Sequence, residues 1–514
     1  MSVYEEIYDE IEKSNLFDKD FYLLEYDDVR ESNSDPIEHY IKYGREEGRR
    51  PNSYFDEKRY ITYFDKEKED LSFPFLHFLR RNNGIKFADK GLLGDFSFES
   101  IEKIVSNINK IPFFSCEDYE EMNSDTKGGS VSSDIHAVIY GIPEGRRIFS
   151  PKKIAETFGI LAKEKLNYII SNKKITNNKN LSEIVFPVFY HSKGNTFIRE
   201  IAEDFSEYMR SSGFKSIVVT EEYEPNNSSE LYIFCAPHEF FFLNGSEKWK
   251  EESIISSSIM LNTEQPQTDW FNRGVIYLFL SLAIIDFSYQ TYEIFKNMGI
   301  RSFHFDPIVS TDPIEIEEEY RKSNLFKILP EKAKKSGVSY KKFLDRSIDV
   351  SFFGNDSRKR DKFLSKNALY LSEKNCFIYY RKNQGPIPGK DPYKILSKIP
   401  SYVADNSKIS INIHRDEDPY FEWHRIVKQG LSRGSIVVSE ECLPHPLYKE
   451  GVNFLVETSR HMPNLIEWLL NSEDGHKKAN EIQEENFKML NNKNLLKSKN
   501  IDLINFINNI IKEL

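Results

Sequence analysis

The stretch INIHRDEDPYFEWHRIVKQGLSRGSIVVSE, Ile411 to Glu440, sets two histidines, three arginines and a D-E-D triplet between two short apolar runs. Apolar runs of that length, bounded by polar residues, read as buried strands. Histidines and carboxylates just past a strand can move protons, and the planar fork of arginine grips two phosphate oxygens at once. His414 and Arg415 follow the first run, and Glu422, His424 and Arg425 are expected to open a helix. Glu440 and Glu441 follow the second run, with His445 close behind. A further strand end, FFGNDSRKR, supplies Gly354 for close backbone approach, then Arg358, Lys359 and Arg360 in the first turns of a helix whose N-terminus favours an anion. Together these groups suit a ligand that carries phosphate, with a carboxylate left for a pair of sugar hydroxyls. The binding candidates are Gly354, Arg358, His414, Arg425, Glu440 and Glu441. Each has an ordinary alternative: SRKR as a solvated helix face, or Glu422 and Arg425 as an i,i+3 pair worth about 0.2–0.5 kcal/mol.

The triplet Asp416 to Asp418 could hold a divalent cation beside diphosphate oxygens. It precedes a proline and is taken as loop charge, so no metal ligand is assigned. Earlier in the chain, FYHSKGN, CAPHEFF, NTEQP and IIDFSYQ place His191, His238, Glu239, Glu264 and Asp286 after strands. His191 and Glu264 are the preferred candidates for a general base acting on an acceptor hydroxyl, against a core or capping role for each. No Walker-type, G-x-G-x-x-G, G-x-S-x-G or H-E-x-x-H motif occurs. That weighs against P-loop, dinucleotide-dehydrogenase and hydrolase chemistry.

The elements that must position these groups form two α/β series. In the first, strands EIVFPVFY, KSIVVTEE, ELYIFCAPHEF, SIISSSIMLNTEQ, LAIIDFS and RSFHFDPI alternate with helices such as TFIREIAEDFSEYMRSSG. In the second, strands DVSFFGN, NCFIYY, KISINIHR, SIVVSE and VNFLVE alternate with helices SRKRDKFLSKNALYL, ILSKIPSYVADN, FEWHRIVKQGLSRG and MPNLIEWLLNS. This rhythm predicts parallel sheets covered by helices on both faces. In front lies an internal repeat: Phe17, Asp18, Pro36 and His39 recur as Phe55, Asp56, Pro74 and His77, each 38 positions on. A period of that size marks a repeated helix–turn–helix unit, with aspartate as cap and proline in the first turn of the second helix. His39 and His77 lie among aromatics and read as packed structural residues. IHAVIYGI, Ile135 to Ile142, is expected to be a strand; Ser150 to Asn172 a helix capped by Ser150; and NKKITNNKN a polar linker. The predicted organisation is a helical repeat domain at 1–90, a connecting α/β segment at 91–180, two α/β domains at 181–330 and 331–480, and a helical tail at 481–514.

Composition sets bounds. The 514 residues carry a net charge of −11, which disfavours a nucleic-acid binder. Four scattered cysteines suit reduced thiols in the cytoplasm, and the acidic N-terminus lacks a signal-peptide pattern. The apolar GVIYLFLSLAIIDFSY is too short to span a bilayer and reads as a buried helix or helix–strand. The expected location is cytoplasmic, with peripheral contact to the inner membrane left open.

The pattern INIH…E-x-x-R-I…G-S-I-V-V-S-E at 411–440 resembles the donor-binding half of bacterial GT-B glycosyltransferases of groups 1 and 4. IMLNTEQPQTDWF and IIDFSYQ look like the matching acceptor-side unit. FDKDFYLLEYDDV…DPIEHYIKYGREEGRRPN is similar to a repeat joined to glycosyltransferases of bacterial surface polysaccharide assembly. The resemblance implies two Rossmann-like domains facing a cleft. The second would hold a nucleotide-diphosphate sugar (UDP-, GDP- or dTDP-linked) without an obligatory metal or other cofactor. The first would present a glycan, lipid-linked saccharide or protein acceptor. It places Gly354 and Arg358 near the diphosphate and matches Arg425 and Glu440 to its motif. Group 4 enzymes carry a ribose-binding glutamate near the place of Lys428 and Gln429, so Glu440 or Glu441 would have to serve here. Rival readings are a sugar-nucleotide epimerase and a decayed glycan-binding or scaffold protein. The repeats could bind the acceptor, a partner or another copy of the chain.

Overall fold

The computed structural model describes residues 3–14, 17–52, 55, 73–81, 96–127, 132–168, 184–225, 229–337, 339–381 and 392–512. Asp56 of the second repeat and the NKKITNNKN linker lie outside them. The first α/β series forms a six-stranded sheet of β1 (Val185–Phe189), β2 (Lys215–Val219), β3 (Ile233–Cys235), β4 (Ile259–Asn262), β5 (Ala283–Asp286) and β6 (Ser302–His304). Its order is β2-β1-β3-β4-β5-β6, and all pairings are parallel. Runs such as AIID are buried along their whole length, because helices cover both faces. One face packs against the helix Asp269–Leu280, so the long apolar run divides into that helix and β5. The other face meets the helix Thr196–Ser211 and the C-terminal helix Lys493–Ile511, which buries Leu503, Ile507 and Ile510 against it.

The second series gives β7 (Ile348–Asn355), β8 (Cys376–Arg381), β9 (Ser407–Asn412), β10 (Ile436–Ser439) and β11 (Leu455–Val456). They pair in parallel in the order β11-β10-β9-β7-β8. The molecule thus has two Rossmann-like domains behind a helical N-terminal region. Three expectations change. FEWHRIVKQGLSRG is a five-residue π-helical turn, His424–Lys428, and a 3-10 turn, Leu431–Arg433. SRKRDKFLSKNALYL breaks at Asn367 into two helices. SIISSSIMLNTEQ divides into a helical turn, Glu252–Ser256, and β4, since its serines hydrogen-bond local carbonyls rather than pair in a sheet.

The largest correction falls at Ile135–Ile142. It is not a strand: Ser133–His136 is helical and Ala137–Gly141 a π-helical turn. The reason is that residues 98–150 are another copy of the N-terminal unit. Phe114, Tyr119, Asp125, His136, Gly141 and Arg146 stand 97 positions beyond Phe17, Tyr22, Asp28, His39, Gly44 and Arg49. The contacts repeat with the residues. The Tyr22 hydroxyl lies 3.1 Å from His39 Nδ1, and that of Tyr119 lies 3.0 Å from His136 Nδ1. Arg49 donates to Asp28 at 2.8 Å and Arg146 to Asp125 at 2.7 Å. Gly44 and Gly141 are needed because a Cβ there would fall 2.0 and 2.4 Å from the two tyrosine hydroxyls. Asp18 and Ser115 cap the corresponding helices. This third copy shares one apolar core with the first sheet. Among the described residues of 91–180 there is no strand, and the helix after Ser150 ends at Leu161 rather than Asn172.

Buried polar contacts join the two α/β domains. Asp306, just past β6, accepts from Trp423 Nε1 at 2.9 Å and Tyr448 Oη at 3.2 Å, and pairs with Lys499 of the C-terminal helix at 2.7 Å. Burial opposes its charge, but Lys499 and then His445 hold its carboxyl down at about 2. Lys428 reaches back to Glu200 at 2.8 Å and to Asp204. Removing one member of such a pair strands a buried charge, at a cost of about 3–5 kcal/mol.

Candidate functional site

In an open parallel sheet the ligand crevice opens beyond the strand ends, where strand order reverses. The second sheet reverses between β7 and β9, and the first between β1 and β3.

Arg360 spans the reversal in the second sheet. Its Nε donates to the Ile413 carbonyl at 2.9 Å, past β9, and its Nη1 to the Asn355 carbonyl at 3.0 Å, at the end of β7. The side chain is buried and its Nη2 has no hydrogen-bond partner. Arg425 lies beside it: both guanidinium groups sit 5.7 Å from the Phe352 ring. Arg425 donates to the Ile413 carbonyl at 3.2 Å and is 3.3 Å from Glu422. Burial, and then Arg425, push Arg360 down to about 10. Burial would raise Glu422, but Arg425 and then Arg360 outweigh it and hold that carboxyl low. One carboxylate thus shares two arginines, and an anion is the natural complement of the excess. Gly354 makes the arrangement possible, because a Cβ there would lie 2.7 Å from Phe352 Cζ and 3.4 Å from Arg360 Nη1.

His414 follows β9. Its Nε2 lies 2.8 Å from the Glu441 carbonyl, which can only accept, so Nδ1 is left as a bare acceptor. That atom is buried and unpartnered, and burial keeps the ring neutral by lowering its pKa. Glu440 takes the His414 backbone N–H at 2.9 Å and Lys359 Nζ at 3.2 Å, both on Oε2. Glu441 joins through its backbone, with an exposed side chain. Arg358 is exposed on the first turn of its helix, whereas Lys359 and Arg360 reach the strand ends. Helical spacing could have shown this: Arg360 lies three residues before the buried Phe363, on the same face. Asp416, Glu417 and Asp418 are exposed, and among the described residues no three His, Cys, Asp or Glu side chains converge as a metal site would require.

At the first sheet, Glu264 follows β4. Burial pushes its carboxyl up to about 7, against the Thr268 hydroxyl at 3.2 Å. Its histidine neighbour is His238, with Nε2 3.6 Å from Glu264 Oε1. His238 is delivered by Ala236, a left-handed residue (φ 51°) that turns the chain off β3 at a cost of about 1–3 kcal/mol. Burial drives His238 down to about 3, so it stays neutral. His191 lies elsewhere, past β1, where its Nδ1 accepts from the Lys193 N–H at 3.2 Å and is 3.7 Å from Glu221. The structure does not bring His191 to Glu264, because β3 stands between their strands. Asp286 takes Asn262 Nδ2 at 2.8 Å and the Ser288 N–H at 2.7 Å, and burial raises it to about 8.

The two rims meet. Tyr420, from the loop after β9, packs on the first domain's core while its hydroxyl donates to Glu422 at 2.8 Å. Leu443, after β10, is buried in that same core. Arg415 lowers the Glu264 carboxyl and Glu422 raises it, so charges of the second domain are felt at the first.

No protein-family model and no curated protein matches the chain. Among solved structures it is similar to a glycosyltransferase from Rickettsia africae, with 11% identity and a TM-score of 0.39 over 65% of this chain and 100% of that one. It is also similar to HepE of Anabaena solved with UDP, with 10% identity and a TM-score of 0.35 over 65% and 100% of the two chains. A third is the lipopolysaccharide outer core galactosyltransferase WaaB, with 10% identity and a TM-score of 0.31 over 64% and 99%. Likenesses this distant carry no argument about what the chain does; the chemistry has to come from its own residues. Among the described residues no helix is long and apolar enough to cross a membrane.

Proposed function

We propose that the protein transfers a sugar from a nucleotide-diphosphate sugar to a hydroxyl acceptor. The observation that carries this is the pair of unmet groups at the reversal of the second sheet. Arg360 offers a buried, cationic N–H without an acceptor, and His414 offers a buried acceptor without a donor. A nucleotide sugar supplies both complements, phosphate oxygens for Arg360 and Arg425 and hydroxyls for His414 and Glu440. Glu440 is the candidate for the ribose, since both its contacts fall on Oε2.

Across the rim, Glu264 takes the proton of the acceptor hydroxyl as that oxygen bonds to the anomeric carbon. The bond from that carbon to the diphosphate oxygen breaks, and the charge that grows on the diphosphate is met by Arg360 and Arg425. Donors fixed in place before reaction stabilise such charge without reorganisation. A carboxyl near 7 suits the task, because a base works best when its pKa lies close to the working pH. The likeness of the N-terminal unit to repeats of surface-polysaccharide glycosyltransferases favours a glycan or lipid-linked acceptor in surface-glycan assembly. The test is to incubate the protein with UDP-, GDP- and dTDP-sugars, without acceptor, and follow release of the nucleoside diphosphate. One donor is expected to turn over slowly, and Arg425→Ala to stop it. Turnover of none would contradict the reading.

A further inference from the structure

Trp270 is the odd aromatic residue of the first rim. Trp249 and Trp423 are buried and each spends its indole N–H on an internal acceptor. Trp270, at the start of the helix Asp269–Leu280, is 45% exposed. Its position is held. The Arg273 guanidinium lies 5.2 Å from the Trp270 ring and 5.4 Å from the Phe242 ring. The His238 ring meets the indole at 6.0 Å in an edge-on arrangement. His238 in turn lies 3.6 Å from Glu264, so one imidazole separates the indole from the candidate base. The Thr268 hydroxyl, two residues before Trp270, donates to Glu264 at 3.2 Å.

Trp270 as a residue is 45% exposed, with a cation over its ring and an imidazole at its edge, and so leaves apolar surface to water beside the candidate base. Bare alkyl chains would be served by any apolar groove. A saccharide ring is different, because it has one face of C–H groups and a rim of hydroxyls. The indole matches the face, and Arg273 beside it can donate to the rim. We infer that Trp270 is a stacking platform for a sugar ring of the acceptor, so that the acceptor is a saccharide rather than a protein side chain. This rests on the transferase reading above and specifies its acceptor.

The experiment is saturation-transfer NMR with the methyl glycosides of glucose, galactose, mannose and N-acetylglucosamine, on wild type, Trp270→Ala and Trp270→Phe. Melting shifts with UDP, GDP and dTDP are recorded on the same samples. Wild type is expected to pass saturation to the ring C–H protons of at least one glycoside. Trp270→Ala should weaken that binding about tenfold, the scale of losing one apolar stacking face. Trp270→Phe should retain most of it, and all three proteins should give the same nucleotide shift. Equal glycoside binding by Trp270→Ala and wild type, or no glycoside binding by wild type, overturns the inference while the nucleotide shift leaves the transferase reading standing. Loss of the nucleotide shift in Trp270→Ala would make the residue a structural support and also overturn it. Absence of any nucleotide shift in wild type removes the transferase reading and this inference with it.

Discussion

The two rims of the crevice use burial in opposite ways. At the first sheet, Glu239, Glu264 and Asp286 are desolvated carboxyls with raised pKa values, and the nearby histidines are held neutral. At the ends of β4 and β5 that rim holds protons on Glu264 and Asp286, while Glu221 past β2 is kept ionised, against its burial, by its Ser192 hydrogen bonds. At the second sheet, Arg360 stays cationic although burial pulls it to about 10, and Glu422 is ionised by its arginine neighbours. That rim stores charge. Similar parallel sheets thus present a proton-handling edge and an anion-handling edge. The difference comes from a few side chains at the strand ends, since the sheets themselves are apolar on both.

The sharpest way to break the contrast is Glu264→Gln. It keeps the shape and removes the base, so kcat should fall by about 10²- to 10⁴-fold with nucleotide affinity unchanged. Steady-state kinetics with a nucleotide titration read the two separately. On the other rim, Arg425→Ala should cost about 100-fold in nucleotide affinity, the scale of losing hydrogen bonds to a charged group. Arg425→Lys should fall between, because it keeps the charge and loses the fork.

The pH dependence comes next. Activity should rise with pH through an apparent pKa near 7 as Glu264 ionises. Stability moves the other way for the same group. Between its ordinary value of 4.5 and about 7 the folded protein holds a proton that the unfolded chain has lost, so its contribution falls as pH rises. The difference in melting temperature between wild type and Glu264→Gln should therefore shift against wild type across that window. A pH-independent difference would show that Glu264 is not perturbed. The smallest expected effects separate the rims by glycine. Gly354→Ala crowds Phe352 and Arg360 and should weaken nucleotide binding several-fold, with a stability cost of about 1–3 kcal/mol. Gly194→Ala would put a Cβ 2.1 Å from Glu239 Oε1 and should change turnover but not nucleotide affinity.

Much of this layout was legible in the sequence. Buried parallel strands announce themselves as apolar runs, and Gly354, His414, Glu440 and Glu264 fall at strand ends where the alternation puts them, while Arg425 reaches back to one from the helical turn His424–Lys428. Strand order was not legible, and it decides that His238 rather than His191 neighbours Glu264. The phase of a helix start, which turns Arg360 inward and Arg358 outward, was legible only through the three-residue spacing from Arg360 to the apolar Phe363. The third repeat escaped because Ser132 and Ser133 replace the Asp35–Pro36 helix start, and because 97 is not a multiple of 38. What survived substitution is the set of residues that touch: tyrosine with histidine, arginine with aspartate, and the glycine under the tyrosine hydroxyl. An apolar β-branched run such as AVIYG reads as a strand until those contacts are seen.

The most direct test of the central claim, that Arg360 and Arg425 hold a nucleotide diphosphate, is a melting-temperature series with UDP, GDP, dTDP and CMP. A ligand that binds only the folded state raises the melting temperature by mass action, by about 2.7 kcal/mol of stability at a hundred times its Kd. A clear rise is expected with one diphosphate, less with CMP, and only a small part of it in Arg425→Ala. A rise that survives intact in Arg425→Ala, or no rise with any nucleotide, would contradict it.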